Sequence, residues 1–473
     1  MSDTIELAST TRDHHHPRYH PRPPLGYLND PNGPIVLDDT LHLYFQSRPT
    51  ADLAVPVEWG HLTSSDFVTW RLHRPAMAPV PDGPDRDGCY SGNTVLDDGR
   101  IRAFYSGRRT DSPYESVLTA VSNDGGYTFG APSQVVPDPT PDEDCTMFRD
   151  PFVWKTDDGW RMVVGSGYAD GRSAARLYQS PDLQDWQRLD DLASLPMQNG
   201  DGPDVGEAWE CPQVLNLDGT SVAVVGTWTQ AKGVNSVLSM VVGEPTQLSL
   251  VDYGTNFYAA SALRDSPFGP ILFGWITEGR SPSRWHAAGW AGALSLPRQV
   301  WLASDNTIRS APVPAVQQLR VDGGAPAHGA VVGAQCEIVV PSPTGRIRLH
   351  FGQAEHLDVS CDTETNSVTV DRSRAGADAD SHGGAATTVT AADAFDARAD
   401  RAALRVFVDG STVEVFTSAG RVLTTRVYPS SPPPWRVEAP DGCTVWTLAA
   451  CDPASRATSD ETGRKQTATK FLA

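Results

Sequence analysis

No CxxC pair occurs in this chain, no apolar run is long enough to span a bilayer, and helical periodicity is nearly absent across its 473 residues. Each absence excludes something. The seven cysteines (Cys89, Cys145, Cys211, Cys336, Cys361, Cys443 and Cys451) are odd in number and unpaired in spacing, so they indicate neither a disulfide framework nor a zinc site. The first residues, "MSDTIELASTTRDHHHP", lack the charged-then-apolar order of a secretory signal. A reduced, cytoplasmic setting with no membrane partner is therefore expected. Basic residues are scarce: 38 stand against 58 acids, for a net charge of −20. Such a surface repels phosphate backbones, and no nucleic-acid partner is expected. His14, His15 and His16 are read as part of a solvated tail, and His61, the one histidine beside a motif, as packing. No metal and no cofactor are expected. A serine-hydrolase elbow is missing too.

Turn-forming residues are abundant, with 41 glycines and 38 prolines, and 13 tryptophans supply core and ring faces. Three short segments repeat: "SSDFVTW" ending at Trp70, "SNDGGYTF" ending at Phe129, and "SPDLQDW" ending at Trp186. Their serines, Ser64, Ser122 and Ser180, are spaced by 58 and again by 58 residues, and Asp66, Asp124 and Asp182 keep the same step. A fourth marker falls near Val242 and a fifth near Arg298. Between them lie β-branched or alternating runs such as "LHLYFQ", "IRAFYSG", "RMVVGSG" and "SVAVVGTW", which read as strands. A unit of roughly 60 residues with about four strands fits one blade of a β-propeller.

After Arg298 the character changes. A stretch rich in proline, alanine and glycine reads as a linker. Strand-like runs then resume and suggest an antiparallel β-sandwich, with "LRVFVDGSTVEVF" as a hairpin around Asp409 and Gly410. Residues 372–390 read as a long loop. The expected fold class is all-β: a five-bladed β-propeller followed by a C-terminal β-sandwich. The expected divisions are a disordered tail (1–17), the propeller (18–302), a linker (303–330), the sandwich (331–452) and a polar tail (453–473).

Measured against the markers, Asp30 lies 34 residues before Ser64, Ser91 lies 31 before Ser122, Asp150 lies 30 before Ser180, and Glu210 lies 32 before Val242. One acid beside a proline is an ordinary turn cap. Three acids in one phase of a radial repeat converge at one end of the central channel. Gathered carboxylates repel, and a fold that assembles them has a use for them. Glycoside hydrolysis needs one ionised carboxylate and one protonated carboxylic acid at a sugar's anomeric carbon. Like charge raises the proton affinity of one member of such a set. Trp59, Trp209, Trp275 and Trp290 are available as faces for sugar rings.

These pieces resemble, in order, those of glycoside hydrolase family 32, the invertases, fructosidases and fructosyltransferases. They are "NDPNG" at 29–33, "YFQ" at 44–46, "WGHLTSSDFVTW" at 59–70, "YSG" at 90–92, "FRDP" at 148–151, "WECPQ" at 209–213, "DYGTNFYA" at 252–259 and "GWAGALSLPR" at 289–298. The resemblance implies that Asp30 is the nucleophile and Glu210 the acid/base. It implies that Asp150 holds the C3 and C4 hydroxyls of fructose and stabilises the transition state. It further implies sugar contacts by Asn29, Gln46, Trp59, Tyr90, Ser91, Arg149 and Trp275, with a small fructoside as the partner. Tyr27 and Leu28 depart from the residues usual in the family, at the pocket rim. Gln213 occupies a position where some members carry an acid. The expected activity is hydrolysis of terminal β-fructofuranosyl linkages, and fructosyl transfer on the same scaffold is the alternative. A sialidase-like propeller would need an arginine cluster, and only Arg149 is well placed. A non-catalytic sugar binder would not need all three acids.

Overall fold

The computed structural model describes residues 13–197, 202–244, 247–266, 268–376, 386–399 and 401–451. Strands dominate. Among the described residues there is one short α-helix, Pro282–Ala288, and no helix long and apolar enough to cross a membrane.

The first part of the chain forms five four-stranded antiparallel units. Their innermost strands are Gly26–Leu37, Gly88–Asp97, Cys145–Thr156, Ala208–Leu217 and Phe257–Leu263. Each is followed by its antiparallel partner, through a two-residue turn in the first four and a longer connection in the fifth. Asp38 and Asp39, Asp98 and Gly99, and Asp218 and Gly219 all take positive φ in these turns, the requirement of a two-residue hairpin turn. Strands in the middle of a unit are buried on both faces, as in Thr40–Arg48 and Thr220–Thr229, because neighbouring units cover them on either side. That explains their near-continuous apolar runs.

The innermost strands pack on one another in sequence, and the fifth returns to the first. The ring is closed further where Trp290–Ala291 pairs in parallel with Gly26 and Tyr27. The repeated Ser-x-Asp segments occupy one place in the first three units, the turn after the third strand. In each, the serine Oγ accepts from a backbone N–H three or four residues on, and the aspartate Oδ1 caps two further N–H groups. The fifth unit is offset, with its third strand running over Arg298–Leu302, so the turn comes after the position expected for the marker. The helix Pro282–Ala288 is inserted before it.

The later part builds two six-stranded sheets, whose inward residues form one core. Val406, Val408, Val413 and Val415 of one sheet share it with Leu349, Leu357, Val359 and Val370 of the other. The hairpin around Asp409 and Gly410 forms, pairing Leu404–Asp409 with Thr412–Thr417.

Three stretches differ from the sequence expectation. Residues 303–330 are not a plain linker. Ile308–Pro312 pairs with Arg298–Leu302 and completes the fifth unit, and a 3-10 turn follows over Pro314–Leu319. The histidines at the start are not a solvated tail. His14 and His15 bond the Pro429 carbonyl at 3.0 and 2.8 Å, and the backbone N–H groups of Arg18, Tyr19 and His20 all donate to Asp409. The loop expected over 372–390 is strand at both ends, Ser367–Arg374 and Thr388–Ala392, and residues 377–385 lie outside the described residues. So do residues 1–12 and the expected polar tail.

A buried ionic cluster joins the two parts. Arg298 bonds Asp252 at 2.8 Å, and also Glu414 and Thr424. His20 lies 3.0 Å from Asp409 and 3.0 Å from Glu414. Burial disfavours the His20 cation, but these two carboxylates outweigh it and raise the imidazole's pKa.

Candidate active site

Every innermost strand breaks register at the same level. The shifts fall between Leu28 and Pro31, Cys89 and Gly92, Arg149 and Phe152, Glu210 and Gln213, and Tyr258 and Ser261. These are β-bulges, which bend a strand and re-aim its side chains. Asp150, Cys211 and Ala259 take left-handed φ values of 60°, 46° and 47° in them, a conformation that side chains rarely adopt. Asn29 and Asp30 lie in the first bulge, Tyr90 and Ser91 in the second, Asp150 in the third, and Glu210 directly before the fourth. The bulges turn these groups from separate strands toward one place.

Asp30 is held on several sides. Its Oδ2 accepts from Ser91 Oγ at 2.6 Å and from Gln46 Nε2 at 3.1 Å, while Asn29 Nδ2 donates to its Oδ1 at 3.2 Å. Asn29 also donates to Gln46 Oε1 at 2.7 Å, so the two amides are oriented by each other. Burial raises the Asp30 pKa to about 6, with the Ser91 hydrogen bond opposing and the charge of Glu210 adding. The bulged strand segment "NDPNG" therefore aims a carboxylate with restricted rotation.

Asp150 is caged from below. Its Oδ2 accepts the Cys211 backbone N–H at 2.9 Å, and its own N–H donates to Ser106 Oγ at 2.6 Å. Burial raises its pKa and the charge of Glu210 raises it further, against the pull of Arg149. Cys211 Sγ sits between two acids, 3.7 Å from Asp30 Oδ2 and 3.5 Å from Asp150 Oδ2. Burial and these acids keep the thiol protonated. Glu210 accepts from Tyr258 OH at 2.8 Å and from Arg149 Nη1 at 2.9 Å. Arg149 reaches on to Glu115, with Nε 2.8 Å from Oε2.

Of the residues singled out in the sequence, Asn29, Asp30, Gln46, Ser91, Arg149, Asp150 and Glu210 belong to this bonded set. Tyr90 is half-buried beside Ser91. Trp275 is half-buried at 6.5 Å from the Tyr27 ring, with its indole N–H unpartnered. Trp59 differs from the expectation. It is fully buried, donates to the Tyr90 carbonyl at 2.9 Å, and backs the wall instead of offering a ring face. Trp209 and Trp290 are also buried, bonded to Val205 and Asp13. His61 stacks with His42 and Tyr44, as packing. Sequence reasoning missed Ser106, Glu115, Cys211 and Tyr258. Cys211 adjoins Glu210, and Tyr258 holds the corresponding place in the fifth strand, so both had a positional signal. Glu115 had none.

Among the described residues, one group with metal-ligand chemistry comes together, Asp13, His14 and His15, with ligand atoms within 4.8 Å of one another. Protein partners already engage it: the Pro429 carbonyl takes both imidazoles, and Trp290 donates to Asp13 at 2.8 Å.

Carboxylates brought from three strands around one place, one of them bridged by arginine and tyrosine, define a glycoside hydrolase on an all-β scaffold. The sequence matches the glycosyl hydrolases family 32 N-terminal domain over residues 20–312 and the glycosyl hydrolases family 32 C terminal over residues 305–449. The chain belongs to that family. It is 30% identical over 480 residues to a raffinose invertase of Escherichia coli, covering 88% of this chain and 90% of that protein. It is 29% identical over 452 residues to a sucrose-6-phosphate hydrolase of Bacillus subtilis, with coverage of 88% and 90%. Its fold is similar to that of a mutant Bombyx mori family 32 beta-fructofuranosidase in complex with sucrose, with a TM-score of 0.76, 25% identity, and coverage of 93% of this chain and 95% of that one.

Proposed function

We propose that the chain is a retaining β-fructofuranosidase that cleaves terminal β-D-fructofuranosyl linkages in sucrose and in fructo-oligosaccharides or fructans. The observation that carries this is the meeting of Asp30, Asp150 and Glu210 from three different strands: Cys211 Sγ lies against both aspartates, and the charge of Glu210 acts on both. The names of the relatives, an invertase and a sucrose-6-phosphate hydrolase, support the substrate class.

In this reading Asp30 attacks C2 of the fructosyl unit as Glu210 passes its proton to the departing glycosidic oxygen. A covalent fructosyl–Asp30 ester results. Glu210, now ionised, takes a proton from water, which attacks C2 and frees fructose with retained configuration. Asp150, fixed by Ser106 and the Cys211 N–H, holds ring hydroxyls and faces the cationic transition state. Asn29, Gln46, Ser91 and Tyr90 line the fructose, with Trp275 at the rim. Preset hydrogen bonds to Asp30 lower the reorganisation needed at attack.

The same reading takes the five units as blades of a propeller, supported by the closed cycle of innermost strands, and the two six-stranded sheets as a β-sandwich. Its domains then divide after Pro312, not after residue 302. Cys89, Cys145, Cys211, Cys336, Cys361 and Cys443 form no disulfide, which suits a reducing cytoplasm.

Incubation with sucrose, sucrose 6-phosphate, inulin and levan, followed by chromatography, tests the assignment. Free fructose is the expected product. Oligofructans accumulating at high sucrose would make the enzyme a transferase, and no turnover of any of the four would remove the reading.

A further inference from the structure

We propose that Glu115 is a positioning residue of this site: it holds Arg149 and divides the charge of its guanidinium, so that Arg149 is not committed wholly to Glu210. The inference rests on the β-fructofuranosidase reading above.

Glu115 is only 3% exposed and precedes the strand Ser116–Val121 of the second unit. Its backbone N–H donates to the Phe148 carbonyl at 3.2 Å, directly before Arg149. The residue is thus fastened to the strand that carries the arginine. Its Oε2 lies 2.8 Å from Arg149 Nε, while Arg149 Nη1 lies 2.9 Å from Glu210 Oε1. One cation stands within ion-pair distance of two carboxylates, hydrogen-bonded to Glu210, the one proposed to serve the chemistry. Burying a fourth carboxylate beside three others costs stability unless it is paired.

The surrounding charges are few enough to name. Burial raises the Glu115 pKa; Arg149 and Arg108 oppose that rise, and Glu210 and Asp30 add to it. Asp150 and Tyr90 also act on Arg149, and Tyr258 bonds Glu210. Arg149 is therefore the cation through which Glu115 reaches Glu210. With Glu115 ionised, the arginine's field is shared. Without that charge, its whole pull acts on the carboxyl that must carry a proton when the leaving oxygen departs. The alkaline limb of the activity profile then moves to lower pH. A residue that merely packed Arg149 would leave that limb unchanged.

The test is the pH dependence of kcat/KM on sucrose for wild type, E115Q, E115A and E115D, with thermal unfolding measured alongside. In E115Q and E115A the alkaline limb is expected to fall by about one pH unit. E115D keeps the charge and is expected to restore the limb most of the way. E115A avoids placing a carboxamide against Arg149, so it remains informative if E115Q does not fold. Profiles of folded E115Q or E115A that superimpose on wild type would overturn the proposal. Wild-type protein inactive on every fructoside is a separate result, which removes the underlying reading instead.

Discussion

The two parts of the molecule treat strand register differently. In the later sheets the pairings run nearly unbroken, with a single shift between His356 and Asp358. In the five units every innermost strand is bulged at one level, and three of the bulges hold a non-glycine residue at positive φ. The later part is arranged for burial, the earlier part for aiming side chains. Strain has collected where acids must point inward, and the regular sheets carry none of the chemistry.

The sharpest way to break that contrast is at the acids themselves. Asp30→Ala and Glu210→Ala are each expected to lower kcat by at least about a hundredfold, and the nucleophile variant by about ten-thousandfold, with little change in folding. Near-wild-type rates in steady-state assays on sucrose would end the assignment of roles.

Next in size is the cluster between the parts. Arg298→Met leaves Asp252 and Glu414 buried without their cation, and a loss of about 3–5 kcal/mol in urea unfolding is expected. An unchanged midpoint would mean that the Arg298 pairs add nothing to the joint.

The smallest effect has the opposite sign. Asp30 has a folded pKa near 6, above its unfolded value, so the stability it contributes is complete below about pH 4 and is lost as pH rises through 6. Asp30→Asn removes that penalty, and the inactive variant should be more stable than wild type at pH 7.5 by on the order of 2 kcal/mol. The gain should vanish near pH 4. Melting curves across this range check both statements, and a constant difference would contradict the titration. With Asp30 as the proposed nucleophile, activity is expected to fall as pH drops through 6.

How much of this was legible in the sequence follows from how local each signal is. The Ser-x-Asp turns could be read directly, since Ser64, Ser122 and Ser180 cap backbone within four residues. The acids could be read by phase, because one repeat places Asp30, Asp150 and Glu210 alike. The fifth unit was harder to read, since the inserted helix Pro282–Ala288 displaces its third strand. Tryptophan count could not separate a ring facing a sugar from one in the core, and Trp59, Trp209 and Trp290 proved buried. Glu115 was invisible because its meaning depends on Arg149, a neighbour from another strand.

The segment before Tyr19 looked dispensable because its partner is remote. Arg18 donates its backbone N–H to Asp409, 391 residues further along the chain. Asp13 is met earlier, by Trp290, and the Pro21 carbonyl by the Leu294 N–H. During synthesis residues 13–22 therefore meet their distant partners only as the fifth unit emerges, and the hold on Asp409 comes later still.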